Sequence, residues 1–189
     1  MKKLIFTTAL LCSFNLWAQV TVDVVLNPMG NFKAKTDSIS GVAEVTGTDV
    51  SAKNVRVDLR TLKTGIEVRD KHTQKHLHTD KFPEAILSIA KGKNGKGIGR
   101  ISINGQEKEI KGTYKIVGKN LEADFSLNLP DFKITDINYM GVGVEDEVKL
   151  HVIIPIGTAA ATPAAPVSAP AKVAQPVAPV KAVMPPAKK

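Results

Sequence analysis

Cysteine is almost missing from this sequence: the one example among 189 residues, Cys12, lies in an amino-terminal stretch expected to be removed. A mature chain without thiols excludes disulfide cross-links, cysteine nucleophiles and cysteine-ligated iron–sulfur clusters, so the fold must rest on core packing. Lipid attachment at Cys12 is disfavoured as well, because Leu11, itself preceded by a leucine, stands where a lipidation site carries a small residue. Signs of enzyme chemistry are equally scarce. There is no Gly-x-Ser-x-Gly elbow, and the Gly95, Gly97, Gly99 series follows a turn and leads into a strand, not into a phosphate-binding helix. Inward-facing glycines of that kind leave space in a barrel or let a strand bend. Asp124 belongs to a polar strand face and Asp131 to a turn, so neither is half of a carboxylate pair. The residues therefore point away from catalysis, and no catalytic residue and no cofactor are assigned.

Long apolar runs are lacking too. Lys2 and Lys3 precede Leu4, Ile5, Phe6 and the Ala9-Leu10-Leu11 run, and Ala18 closes the segment. That order is the pattern of a secretory leader, and its apolar part is too short to cross a bilayer as a helix. Cleavage after Ala18 is expected, giving a leader of residues 1–18 and a periplasmic or secreted product. Of the formal charge of +8, Lys2 and Lys3 belong to the leader, and Lys172, Lys181, Lys188 and Lys189 to an acid-free carboxyl-terminal stretch, so the body keeps +2. A near-neutral exported body argues against nucleic acid as a partner.

Residues 157–189 are mostly Ala, Pro, Val and Lys, with prolines spaced so that neither helix nor ladder can form. This is expected to be a disordered, polyproline-like tail. Two readings of it stay open: a linker without a specific partner, or a basic extension in weak electrostatic contact with an anionic envelope surface.

The remaining residues, 19–156, make one domain of ordinary size. Period-two alternation dominates it. Val55, Val57 and Leu59 alternate with Arg56, Asp58 and Arg60; Leu121 to Leu129 and Val148 to Ile156 behave alike. Asn94-Gly95, Asn104-Gly105 and Gly118-Lys119-Asn120 supply tight turns, so residues 85–129 read as a four-stranded meander. With weaker patterns before residue 47, about eight antiparallel strands are expected. Each has one apolar face that only closure or a second layer can bury. The fold class is therefore all-β, an antiparallel barrel of about eight strands, with one short helix in the 65–81 connection.

Parity places Val22, Val24, Phe32 and Ala34 inside the barrel, followed by Ala43, Val45, Val57 and Leu59. The same rule adds Leu87, Ile89, Ile101 and Ile103, then Gly112, Tyr114 and Ile116, and finally Ala123, Phe125, Leu127 and Val152. No charged side chain is among them. The small residues Ala34, Ala43, Gly112 and Ala123 favour a cavity for one apolar ligand over a completely filled interior. In the other reading the interior is filled, and the loops and basic tail bind an envelope partner. His72, His76 and His78 offer a third reading: the first two have the i, i+4 spacing of two-histidine metal sites, but a third ligand is lacking unless the distant His151 supplies it.

The stretch Val57-Asp58-Leu59-Arg60-Thr61-Leu62-Lys63-Thr64-Gly65, then Val68-Arg69-Asp70-Lys71-His72, then Lys81-Phe82-Pro83-Glu84-Ala85 resembles the signature of the YceI-like family of periplasmic proteins. Gly99-Arg100-Ile101-Ser102-Ile103-Asn104-Gly105 is similar to the family's next recurring segment. Asp131-Phe132-Lys133-Ile134 and Val144-Glu145-Asp146-Glu147-Val148 are similar to its closing one. The resemblance implies an extended lipocalin-like barrel holding a polyisoprenoid chain, an isoprenoid quinone or a similar amphiphile. It makes Arg69, Asp70, His72 and Phe82 structural or mouth-defining, with an Arg–Asp pair orienting the helix against the rim. The amino terminus is short for the family, which predicts an open edge at the first strand that a second copy could close as a homodimer.

Overall fold

The computed structural model describes residues 18–157 apart from Met29 and Met140. The expected leader, except for Ala18, and the tail beyond Gly157 lie outside the described residues. Eight long strands carry the architecture: β1 (Gln19–Asn27), β2 (Asn31–Thr36), β5 (Asp49–Asp58), β6 (Glu84–Lys93), β7 (Lys96–Ile103), β8 (Gln106–Val117), β9 (Asn120–Asn128) and β12 (Glu147–Pro155). Four short ones, β3 (Ile39–Ser40), β4 (Ala43–Thr46), β10 (Asn138–Tyr139) and β11 (Val142–Val144), patch the ends and the seam. The long strands neighbour one another in the order β2-β1-β12-β9-β8-β7-β6-β5, every pair antiparallel.

The sheet then returns on itself. Lys35 and Lys63 exchange two backbone hydrogen bonds of 2.8 Å, and the Thr36 and Thr61 hydroxyls meet at 2.6 Å, tying β2 to the chain just past β5. On the other side of the seam β3 and β4 pair with β5, and Ala43 bridges in parallel to Ile156. The result is a nearly closed barrel. The open edge expected at the first strand does not exist, because β1 pairs with β12 on one side and β2 on the other, and its last residues pair with β11. With both of its sides paired, β1 has no edge for a second copy to close.

Two buried clusters mark the two ends. One gathers Val24, Leu59, Ala85, Ile101, Ile103, Leu127, Phe132, Ile134 and Val148 beside the one α-helix among the described residues, α1 (Glu67–His76). The other gathers Ala43, Val50, Ala52, Val55, Leu121 and Ile154 near the hairpin turns at Gly47, Gly95 and Gly118. A 3-10 turn, Leu129–Phe132, brings Phe132 into the helix end, where its ring is 2% exposed and its carbonyl accepts a 3.0 Å bond from buried Asn104 Nδ2. No helix among the described residues is long and apolar enough to cross a membrane.

Glycine is required where strands crowd inward. At Gly112 an added Cβ would press against the Asp124 carbonyl oxygen and lie 2.8 Å from Phe125 Cβ, and at Gly92 it would strike the Tyr114 ring. The space that Gly112 saves is thus taken by the neighbouring strand and does not enlarge a void. Backbone cannot yield as a flexible side chain can, so Gly112→Ala is expected to cost about 1–3 kcal/mol, read as a lower urea midpoint with an unchanged slope.

Candidate functional site

The inner face of the barrel surrounds a cavity of about 760 Å³. Along β12 its wall is Val148, Leu150, Val152 and Ile154; along β9 it is Leu121, Ala123, Phe125 and Leu127; along β1 it is Val20, Val22, Val24 and Leu26. Same-face residues on a strand recur every 6.6 Å or so, so four of them make an apolar wall roughly 20 Å long. The cavity is elongated along the barrel.

Most positions placed inside by parity do stand at this wall: Phe32 and Ala34 on β2, Val57 and Leu59 at the end of β5, Leu87, Ile101 and Ile103, and Gly112 and Tyr114 on β8. Four do not. Ile89 is turned off the wall because the β6–β7 register shifts between Leu87 and Ile89, so the inner positions run Ala85, Leu87, then Ala90 and Gly92. Val45 shares a face with Val50 but sits beside the Gly47 turn, past the one bridge tying β4 to Ile156, and is 37% exposed. Ile116 lies beyond Thr113, where pairing with β7 stops, and is 48% exposed. Ala43 is fully buried in the hairpin-end cluster, covered by its neighbours and away from the cavity.

Simple continuation of the alternation would have added Leu121, Val148, Leu150 and Ile154. On β5 the inner set runs Val50, Ala52, Val55, Val57, with a change of phase around Asn54, whose φ is 51°. The 129–144 segment contributes Phe132, Ile134, Ile137 and Val144 to the wall, and no regular period announces them.

Helix α1 supplies the polar groups at its own end, while Ser51, Lys91, Thr113, Asp124 and Asn138 add others elsewhere in the lining. Arg69, His72, Thr73 and His76 recur at the spacing of one helix face, and all four line the cavity. Ile66 and Val68, 53% and 56% exposed, add an apolar lip at the start of the helix. An interior free of charged side chains was the expectation from the strands alone; the helix brings Arg69 to it. His78 falls past the helix, exposed, in a left-handed conformation with φ 50°. Among the described residues no three His, Cys, Asp or Glu side chains are grouped so as to hold a metal ion. His151 pairs with Asp124, Nδ1 to Oδ1 at 2.7 Å.

A model of the YceI-like domain matches residues 17–155. The chain belongs to the YceI-like family. Among solved structures, the YceI-like barrel is similar to a polyisoprenoid binding domain from Saccharophagus degradans implicated in plant cell wall breakdown, with 11% identity, 74% of this chain and 94% of that chain covered, and a TM-score of 0.50. It is also similar to BcnA of Burkholderia cenocepacia (13% identity, 71% and 94% covered, TM-score 0.54) and to a mutant CJ YceI protein crystallised with a monobromobimane guest (18% identity, 67% and 84% covered, TM-score 0.50). At these identities the likeness shows the fold. No curated protein matches the sequence.

The Thr-Gly to Arg-Asp motif of this YceI-like chain acts differently from the Arg–Asp pair expected of it. Asp70 is buried and takes both donors of Thr64, the backbone N–H at 2.7 Å and the hydroxyl at 2.6 Å, with Lys63 Nζ at 3.7 Å. Arg69 turns the other way, donating from Nη2 to the Thr64 carbonyl at 3.0 Å and lying 4.2 Å over the Phe32 ring. Two successive helix residues thus grip one loop residue from its donor and acceptor sides, and that grip sets α1 across the barrel end. Phe82 is not at the cavity wall; its ring lies 2.8 Å from where a Cβ on Gly105 would be.

The Thr64 hydroxyl, then the Thr64 amide, hold the Asp70 carboxyl below its ordinary 3.8, against the opposing effect of burial. Burial, then the neighbouring His72, Lys75 and His78, push the His76 imidazole below 6.5. Asp70→Ala leaves buried Thr64 donors unpaired and is expected to lower stability by about 1–3 kcal/mol near neutrality. Because the folded-state pKa is depressed, this contribution is complete above about pH 4 and is lost as pH falls through the folded value. Urea unfolding at a series of pH values should therefore show the gap between wild type and variant narrowing in acid.

Proposed function

We propose that this protein is a non-catalytic periplasmic carrier that holds one long apolar chain, a polyisoprenoid or an isoprenoid quinone, along the barrel axis. The elongated cavity carries the reading. A filled scaffold would leave no such volume, and a compact ligand would not use a wall roughly 20 Å long. Each methylene moved from water to this wall contributes about 0.8 kcal/mol, so a chain of many carbons gains affinity without any polar contact. Cavities of about 300–1,000 Å³ are of the size that takes up single organic ligands. Polyisoprenoid binding is named for the Saccharophagus domain, and it agrees in kind with an interior built from Val, Leu, Ile and Phe.

Organic extraction of the purified protein followed by mass spectrometry is expected to yield a long-chain isoprenoid at near one per barrel. Delipidated protein should take the same compound up again. Ala123→Leu, which adds bulk to the cavity wall, is expected to reduce uptake severalfold while leaving the β-sheet circular dichroism unchanged. Extracts that are repeatedly empty, with no re-uptake, would overturn the carrier reading in favour of a scaffold that works through its surface.

A further inference from the structure

We infer that Arg69 is the anchor for an oxyanion at the end of the bound chain, so that this barrel takes chains ending in a carboxylate or phosphate in preference to neutral ones. The inference rests on the carrier reading and adds a chemical class to it.

Arg69 lines the cavity, and the bonding of its guanidinium is incomplete. Nη2 is used by the Thr64 carbonyl and one face of the group by Phe32, while the Nε–H is buried without a hydrogen-bond partner. Among the described residues no carboxylate pairs with Arg69. Its neighbour Asp70 is taken by Thr64 and Lys63, and Glu67, two residues earlier and so on another side of the helix, pairs with Lys71 at 2.8 Å. The side chains that share the helix's cavity face, His72, Thr73 and His76, bring no negative charge. The depressed basicity of His76, due partly to cationic neighbours, agrees with a positive bias at this end.

A guanidinium beside an apolar cavity is biased toward an anion that can accept from it, since charge and hydrogen bond act together. The Nε–H itself is closed off from the cavity, and the grip of α1 on Thr64 holds the Arg69 guanidinium in place with its charge unmatched by a carboxylate among the described residues. An oxygen terminus placed there leaves its hydrocarbon lying along the wall of β1, β9 and β12.

The test compares three ligands of one chain length on the delipidated full-length mature protein: geranylgeraniol, geranylgeranoic acid and geranylgeranyl phosphate. Affinity is read by displacement of the neutral probe N-phenyl-1-naphthylamine. Both anions are expected to bind about tenfold or more tightly than the alcohol, and the difference between acid and phosphate identifies which anion the site prefers. Arg69→Met should abolish the preference for the anions over the alcohol; Arg69→Lys should restore part of it. The comparison on wild type needs no variant, so it stands even if Arg69→Met folds poorly. Equal binding of all three by wild type, or a preference that survives Arg69→Met, overturns the inference and leaves the carrier reading intact. A wild type that binds none of the three overturns both.

Discussion

Everything in this molecule depends on the sheet closing. An antiparallel sheet with one apolar face has to cover that face, and an unclosed sheet also offers backbone donors and acceptors to any passing strand. Here two small seams meet the requirement, the reciprocal Lys35–Lys63 bonds and the bridge from Ala43 to Ile156. Once they form, the apolar faces of eight strands look at one another across a space that their side chains do not fill. The cavity is therefore a consequence of closure combined with side-chain size. It needs no separate device to keep it open.

The helix end is where the chain departs from plain alternation, and it is where chemistry enters. A barrel wall built by period-two strands is predominantly apolar and discriminates poorly among hydrocarbons. Helix α1 adds a cation, two imidazoles and a hydroxyl to one end of the space, held by the grip of Asp70 and Arg69 on Thr64. Wall and helix thus differ in character: the wall is a long apolar surface, and the helix gathers polar groups at one end of it.

Much of the wall was legible because alternation is local. Val22, Val24, Leu59, Ile101, Phe125, Leu127 and Val152 could be placed from their neighbours alone, since a strand sends successive side chains to opposite faces whatever it pairs with. Ile89 could not, because its direction follows from a register shift that exists only in the pairing of β6 with β7. Val45 and Ile116 face inward by parity but lie where adjacent strands have already ended, and the end of one strand is not written in another. Gly112 suggested empty space from its size; the approach of β9 occupies that space.

By itself the sequence determined the class of fold, the antiparallel connections, the apolar character of the interior, the place of the one helix and membership of the YceI-like family, because each depends on short-range pattern or on motif. The tertiary structure decided that β1 is paired on both sides, that Asp70 serves Thr64 and not Arg69, and that Arg69 comes over Phe32 at the cavity wall. The pairing of β1 with β12 and the approach of Arg69 to Phe32 join residues tens of positions apart, and only the closed sheet sets the distances between them.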